Sequence, residues 1–320
     1  MIKTIAVLTS GGDSPGMNAA IRSITRSSLS RGIKVYGIRD GYLGLINGDI
    51  YEMTRFDVSG IITRGGTKLG SARVPGFTAR AVQDLALNNL KKLKIDALIV
   101  IGGDGSYRGA HALSKLGVKV VTVPGTIDND IPGTEVTIGF DTALNTAIEA
   151  IDKLRDTSTS HHRCSVVEVM GNRCGDLALY SGIATGAEIV ITPETGYDYE
   201  WTIRRLKELD ELRDKRHASV VISEKLTDVE DLAQTISKKT TFSGRSTVLG
   251  YIQRGGSPTA NDRLLATRLG DYAVSTLLEG KDAHSVGIID GKLVSLRLED
   301  AFKLEKKIKQ DLFDLQKRLV

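Results

Sequence analysis

The sequence predicts an α/β chain of two doubly wound, largely parallel sheet domains, each a sheet sandwiched between helices in three αβα layers. Three observations carry this. Short β-branched runs recur along all 320 residues, most of them apolar throughout rather than alternating, as strands buried on both faces are. Amphipathic helical stretches lie between them, and alternation of strand and helix gives a parallel sheet. Nine strand-like runs exceed one comfortable sheet, which divides the chain into two Rossmann-like domains.

In chain order the strand runs are "TIAVLT" (4–9), "KVYGIR" (34–39), "ALIVIGG" (97–103) and "VKVVTV" (118–123), then "CSVVEVM" (164–170) and "AEIVIT" (187–192). "ASVVISE" (218–224), "STVLGYI" (246–252) and "SVGIID" (285–290) complete the set. Between the second and third runs, Val82, Leu85, Ala86, Leu90 and Leu93 fall on one helical stripe. Leu144, Ala147, Ile148, Ile151 and Leu154 do the same over Asp141–Asp156.

Composition narrows the class. The chain has 43 Lys and Arg against 39 Asp and Glu, a net charge of +4. That weak bias suits small anions as well as it suits nucleic acid; there is no run of five like charges, and no nucleic-acid partner is expected. The two cysteines, Cys164 and Cys174, lack CxxC spacing and read as reduced, so a cytoplasmic protein without a zinc site is expected. The start "MIKTIAVLTSGG" reads as a strand and glycine turn rather than a signal peptide, and no apolar run approaches the ~20 residues of a membrane span.

Ligands of such folds bind beyond the carboxyl ends of the strands, so the loops there matter. The first, Thr9–Asn18 "TSGGDSPGMN", passes through Gly11 and Gly12 into a helix, an arrangement that turns backbone N–H groups and a helix N-terminus toward an anion. A plain tight turn explains it equally well. The second, "IGGDGSYRG" (101–109), has glycines at 103, 105 and 109 but places Asp104 where a pyrophosphate would approach. An aspartate there suits Mg²⁺ bridging phosphates, with a helix cap as the alternative. The third, "VPGTIDNDIPGT" (123–134), gathers Thr126, Asp128, Asn129 and Asp130. Drawn out as an extended loop, Asp128 and Asp130 share a side. One carboxylate can take a hydroxyl proton, the other can orient water or the loop, and Thr126 can donate to a phosphoryl oxygen. "DND" alone more often marks a turn; the company of the other two loops raises the catalytic reading.

Together "LTSGGDSPGMNAAIR", "GGTKLGSAR", "VIGGDGSYRGA", "PGTIDNDIPGT", "TIGFDTALNT", "RDTSTSHHR", "GDLALYSGIATGAE" and "QRGGSPTANDR" resemble the bacterial ATP-dependent 6-phosphofructokinase family over essentially the whole chain. The resemblance implies a glycolytic, Mg²⁺-dependent kinase that transfers the γ-phosphoryl group of ATP to the 1-hydroxyl of fructose 6-phosphate. It implies an ATP-binding domain at 1–140 plus 256–305 and a fructose 6-phosphate domain at 141–255 plus 306–320. Carried over by position, Asp128 is the base, Asp104 holds the metal, and Gly12, Arg73, Val74, Gly103, Gly105 and Ser106 line the ATP site, with Arg73 steadying the transferring group. Thr126, Ile127, Asp128, Met170, Gly171 and Asn172 face the sugar, with Tyr251 beside them. Glu224 binds its hydroxyls, and Arg163, Arg245 and Arg254 grip the 6-phosphate. Pyrophosphate-using relatives carry Asp and Lys where this chain has Gly105 and Gly125, which points to ATP. Asn172 stands where the family reads Arg in "MGR", with Arg173 next to it to take up part of that role, and Tyr251 stands where it reads His in "GHxQR".

The same resemblance implies a homotetramer in which Arg163 and Arg245 serve a neighbouring subunit's site. It also implies an effector site for ADP or phosphoenolpyruvate. Arg22 and Arg26, four apart on the first helix, belong to it with Arg55, Ser59, Arg155, Arg213 and Lys215, and Gly186 and Glu188 match its metal-binding corner. From the arginine pair alone, a solvated basic face is the simpler reading.

Overall fold

The protein is described here from a computed structural model, which describes residues 2–212 and 215–319. The chain runs β1 (Thr4–Ser10), α1 (Met17–Ser30), β2 (Lys34–Ile38), α2 (Gly41–Asn47), β3 (Ile50–Met53), α3 (Arg80–Lys92), β4 (Ala97–Gly102), α4 (Asp104–Ser114) and β5 (Lys119–Pro124). It continues through α5 (Phe140–Ser160), β6 (Arg163–Val169), α6 (Asp176–Thr185), β7 (Ile189–Ile191), α7 (Tyr199–Asp210), β8 (His217–Ser223), α8 (Val229–Lys239) and β9 (Ser243–Val248). A 3₁₀ turn at Gly250–Arg254 leads to α9 (Ala260–Leu278), β10 (His284–Ile289), β11 (Lys292–Arg297), α10 (Leu298–Ala301) and α11 (Gln310–Leu319).

Two compact units result. One comprises Met1–Thr142 with Arg254–Lys306, the other Ala143–Gln253 with Lys307–Val320. The first holds a seven-stranded sheet in the order β11-β10-β5-β4-β1-β2-β3. β4 is apolar along its length, β5 is buried throughout after Lys119, and both have parallel neighbours, as expected of strands covered on both faces. Ile5, Val7, Ile99, Ile101, Val121 and Val123 face α1 and α9 on one side; Ala6, Leu8, Leu98, Val100 and Val120 face the α3 and α4 side. The chain leaves β1 toward β2 on one side and resumes at β4 on the other. The topological switch therefore lies between β1 and β4, where a ligand crevice is expected. The second unit holds a parallel sheet, β7-β8-β6-β9, with the same kind of switch at β6.

The structure departs from the sequence reading at the edges. β3 and β11 are additional strands, antiparallel to β2 and β10. The hairpin between β10 and β11 turns on Asp290-Gly291, both at positive φ, a two-residue turn whose "DG" stands in the sequence. The run at 246–252 is not one strand: β9 stops at Val248, and Gly250, at φ 53, starts the 3₁₀ turn. On α3, Leu85 is exposed and Leu87 takes the buried place, because the stripe that packs is centred on Gln83, Ala86, Leu87 and Leu90.

Candidate active site

Sheet register sets the first unit's site. Ser10, Gly102 and Pro124, the last residues of β1, β4 and β5, pair in one row across the sheet, so the three loops leave side by side. The first loop turns at Gly11 (φ 87), whose carbonyl accepts from Ser71 Oγ at 2.5 Å. Thr9 Oγ1 donates to the Gly70 carbonyl at 2.6 Å. These two bonds bring the 65–73 segment over the loop and place exposed Arg73 two residues beyond the tether, with Val74 anchored in the core below. Asn18, buried on α1, braces the same segment: its amide donates to the carbonyls of Arg64 and Gly65 and its Oδ1 accepts from the Lys68 amide at 2.7 Å. Sequence reasoning quoted Asn18 in a motif but gave it no role.

In the second loop, buried Ser106 donates from Oγ to the Ser10 carbonyl at 3.0 Å, locking the loops after β4 and β1 together. Gly103 precedes α4 in extended backbone, and Asp104 opens the helix without capping it; its Oδ2 accepts from Arg108 Nε at 2.8 Å on the exposed face. A side chain at Gly105 would meet nothing within 4 Å. One exposed carboxylate at a helix N-terminus, beside open space, suits a cation that takes its remaining ligands from phosphate oxygens and water. Among the described residues no group of three or more His, Cys, Asp or Glu forms a protein-only metal cage.

The third loop is not extended. Asn129 adopts φ 53, which breaks the alternation expected to put Asp128 and Asp130 on one side. Asn129 is buried and works as an anchor: its Oδ1 accepts from the Thr137 amide at 3.0 Å and its Nδ2 donates to the Glu135 carbonyl. Thr126 is held through both backbone groups, its amide donating to the Ile138 carbonyl at 3.1 Å and its carbonyl accepting from Thr137 Oγ1 at 2.6 Å. Thr126 Oγ1 accepts from the Asp128 amide at 3.2 Å, and Ile127 is buried beneath. Arg254 reaches this unit's site from the far end of the 3₁₀ turn and lies against Gly12.

In the second unit, the loops after β6 and β8 meet. Gly171 turns at φ 143, and Asn172, at φ 58, sits in the left-handed region that asparagine tolerates. The Asn172 amide donates to Glu224 Oε1 at 2.8 Å, and Lys225 Nζ donates to Asn172 Oδ1 at 3.1 Å. Lys225, a residue without a role in the sequence reading, thus places a cation beside Asn172. Burial, then Glu224 and Asp228, push the Glu168 carboxyl on β6 above its ordinary value. Fully buried Gln253, a residue without an assigned role in the sequence reading, accepts from the Met170 amide and donates to the Gly250 carbonyl. It thereby ties the Met170–Gly171 turn to the 3₁₀ turn that carries exposed Tyr251.

Arg163 and Arg245 do not join them. Arg163 is the first residue of β6, paired with the starts of β8 and β9, and Arg245 pairs with Ser165 two residues on. Met170 follows the last residue of β6. At about 3.3 Å per residue the strand separates its two ends by roughly 20 Å.

Of the residues expected at an effector site, four come together in the second unit. Arg155 of α5 donates from Nη1 to the Thr185 carbonyl and from Nε to His217 Nε2 at 3.3 Å, and its guanidinium borders Gly186, left-handed at φ 65. Glu188 is buried and takes Lys215 Nζ on one oxygen and the amide and hydroxyl of Ser219 on the other. Burial opposes its ionisation, but the Lys215 and Ser219 contacts prevail and hold its pKa below the ordinary value. In the first unit, Arg22 and Arg26 are half-buried neighbours on α1; burial, then the Arg26 charge, lowers the pKa of Arg22. Arg55 and Ser59 are exposed after β3, and Arg213 lies outside the described residues.

Comparison with known proteins matches this arrangement. A family model described as phosphofructokinase covers residues 4–277. ATP-dependent 6-phosphofructokinase of Tolumonas auensis is 54% identical over 320 residues, 100% of both chains, and that of Clostridium acetobutylicum is 52% identical over 318 residues, 99% of both. Among solved structures, phosphofructokinase from Saccharomyces cerevisiae superposes with a TM-score of 0.87 at 34% identity over 99% of this chain, which spans 48% of the yeast chain. A pyrophosphate-dependent phosphofructokinase from Marinobacter aquaeolei shares the fold, with a TM-score of 0.86 at 22% identity and coverage of 100% of this chain and 92% of that one. Phosphate loops on one sheet row, an aspartate-bearing loop beside them and identity along the full length lead to one conclusion: this chain belongs to the phosphofructokinase family.

Proposed function

We propose that the protein is an ATP-dependent 6-phosphofructokinase, regulated by ligands at a second site. The observation that carries this is the row Ser10–Gly102–Pro124, which sets two phosphate loops and the Asp128 loop side by side at one sheet edge. The full-length identity to bacterial enzymes of that name supports it.

In this reading ATP lies along Gly11–Gly12 and Gly103–Ser106, whose backbone N–H groups and α4 N-terminus face its phosphates. Mg²⁺ held by Asp104 would neutralise charge between the phosphates. Arg73 steadies the transferring group. Asp128 accepts the proton of the sugar's 1-hydroxyl as that oxygen bonds to the γ-phosphorus and the bond to the ADP oxygen breaks. Thr126 orients the loop and donates to the moving phosphoryl group. Positioning and charge neutralisation supply most of the acceleration in such transfers. The open space at Gly105 leaves room for a nucleotide α-phosphate, which an aspartate there would repel.

Fructose 6-phosphate is bound by Met170, Gly171, Asn172, Glu224 and Tyr251, with Arg254 near the ATP loop. Arg163 and Arg245, at the other end of β6, serve the site of a neighbouring subunit in a homotetramer. Arg155, Gly186, Glu188 and Lys215 form one wall of the effector site for ADP or phosphoenolpyruvate, which Arg22, Arg26, Arg55, Ser59 and Arg213 complete. Cys164 and Cys174 are both buried and outside any disulfide, which suits a reducing cytoplasm. A coupled assay with fructose 6-phosphate and Mg²⁺, run with ATP and with pyrophosphate, tests the assignment. Formation of fructose 1,6-bisphosphate from ATP is the expected result; equal or better use of pyrophosphate overturns the nucleotide assignment.

A further inference from the structure

Asp262 belongs to none of the loops assigned above, yet its carboxylate is completely buried. It is the third residue of α9, and Thr259-Ala-Asn-Asp262 has the spacing of a capping box. Half of that box is present: Thr259 Oγ1 accepts from the Asp262 amide at 3.2 Å. The other half is not, because the Thr259 amide donates instead to Thr142 Oγ1 at 3.0 Å. The Asp262 carboxylate is turned away from its own helix. Oδ1 accepts from the Gly139 amide at 2.8 Å, and Oδ2 accepts from the amide and the hydroxyl of Thr142 at 2.8 and 2.5 Å. Asp262 thus caps α5 from a different helix, where the N-terminal dipole favours a negative charge.

The segment it fixes is the one that holds the catalytic loop. Gly139 follows Thr137 and Ile138. Ile138 donates to the Pro124 carbonyl at 2.9 Å, and its carbonyl accepts both Thr126 N–H and Ser14 Oγ, the latter at 2.9 Å. Thr137 holds the Thr126 carbonyl and the Asn129 side chain. Packing leaves this segment little freedom: a Cβ on Gly16 would fall 2.7 Å from Ile138 Cγ2, and one on Gly139 would fall 2.5 Å from Ser14 Cβ. Residues 137–139 therefore carry Thr126 and Asn129, which bracket Asp128 in sequence, and are themselves pinned by one buried carboxylate.

We propose that Asp262 is a positioning residue for phosphoryl transfer, holding residues 137–139 so that the loop sets Asp128 at the substrate hydroxyl. This rests on the reading of Asp128 as the base. A cap that only stabilised α5 would matter to folding alone; a pin on the catalytic loop matters to turnover per folded site. Small displacements of a positioned group cost up to about 100-fold in rate, and residues that act as one unit show strongly non-additive losses.

A double-mutant cycle separates the two. Asp262→Asn keeps the size of the side chain but sets an N–H₂ against one of its donors. kcat and both KM values are measured for wild type, Asp262→Asn, Asp128→Ser and the double variant, with melting temperature as the check on folding. In the wild-type background Asp262→Asn is expected to lower kcat about 10- to 100-fold with KM for ATP within about twofold. In the Asp128→Ser background its effect is expected to shrink below about threefold. Thr137→Val cuts the next link, the bond to the Thr126 carbonyl, without touching Asp262; it stands in the same cycle should Asp262→Asn fail to fold. Penalties that multiply, or a variant that melts lower while turning over at the wild-type rate, overturn the proposal. Asp128→Ser turning over normally is read on that variant alone and overturns the base assignment on which the proposal stands.

Discussion

Gly12 lies so close to Arg254 that a Cβ built on it would fall 2.5 Å from Nη1 and 3.0 Å from Cζ of the guanidinium. The absence of a side chain in this first glycine loop lets a cation lie against the backbone that, in the proposed reading, faces the ATP phosphates. Gly12→Ala pushes aside the far end of a flexible side chain rather than a packed core. The expected outcome is a melting temperature within about 3 °C of wild type, a shift worth about 2 kcal/mol at most for a chain of this length, with kcat/KM for ATP reduced about tenfold or more. Thermal melting and steady-state kinetics check both halves; a variant that is unstable but fully active contradicts the arrangement.

Asp104 and Arg108 form an exposed ion pair one helical turn apart. Such pairs contribute about 0.3–0.5 kcal/mol at most. Asp104→Ala should therefore leave stability nearly unchanged and raise the Mg²⁺ concentration needed for half-maximal activity. Titration of activity with Mg²⁺ at fixed ATP reads this directly.

Gly105 and Gly125 part company in their packing. A Cβ at 105 meets nothing, whereas one at 125 would fall 2.9 Å from Ile101 Cγ2 and 3.2 Å from Met17 Cε. Gly105→Asp should fold normally and lose ATP-dependent activity by about 100-fold, because a carboxylate faces the α-phosphate. Gly125→Ala should instead lose about 1–3 kcal/mol of stability from overpacking. Of the two glycines taken as marks of ATP use, Gly125 is required by packing and Gly105 is not, so in the proposed reading the reason for glycine at 105 is chemical.

Lys225 places a cation beside Asn172, and its own backbone lies at φ 69, a conformation that a lysine rarely adopts. Lys225→Met is expected to raise KM for fructose 6-phosphate about 3- to 10-fold while KM for ATP stays constant. Unchanged sugar-phosphate affinity would leave Lys225 as a surface charge only.

Glu188 gives a pH prediction with a definite sign. Its folded pKa lies below the ordinary carboxylate value, so its pairing with Lys215 and Ser219 stabilises the protein above that value and is lost as pH falls through the folded pKa. Lys215→Met should destabilise the protein by about 3 kcal/mol at neutral pH, the cost of stranding a buried carboxylate. The gap between wild type and variant should hold down to the ordinary carboxylate range and narrow only as pH falls further, through the lowered folded pKa of Glu188. Urea unfolding followed from pH 7 into that acid range measures it.

The central strands were legible because burial on both faces leaves an unbroken apolar run, and the phosphate loops because their glycines follow such runs directly. The edge strands β3 and β11 were not. Four or six residues with one wet face carry little pattern, and only Asp290-Gly291 signalled one of them. At the site, the residues that touch ligands in the proposed reading were found from motifs. Those that hold them were not: Asn18, Gln253 and Asp262 act through groups far away in sequence and Asn129 through backbone six and eight residues on, and nothing local marks a polar side chain as buried. The failure of the extended reading of Asp128–Asp130 has the same origin, since the turn at Asn129 is imposed by Thr137 and Glu135.

Arg163 begins β6 and Met170 follows its end. A rigid strand thus places two groups that the proposed reaction needs together a protein radius apart. On that reading the catalyst is defined by mass action: no isolated chain holds a whole sugar-phosphate site, however well folded it is. Specific activity would then fall with dilution below the dissociation constant of the assembly, while spectra that report folding stay unchanged. A cell that makes little of this protein would lose flux more steeply than it loses protein.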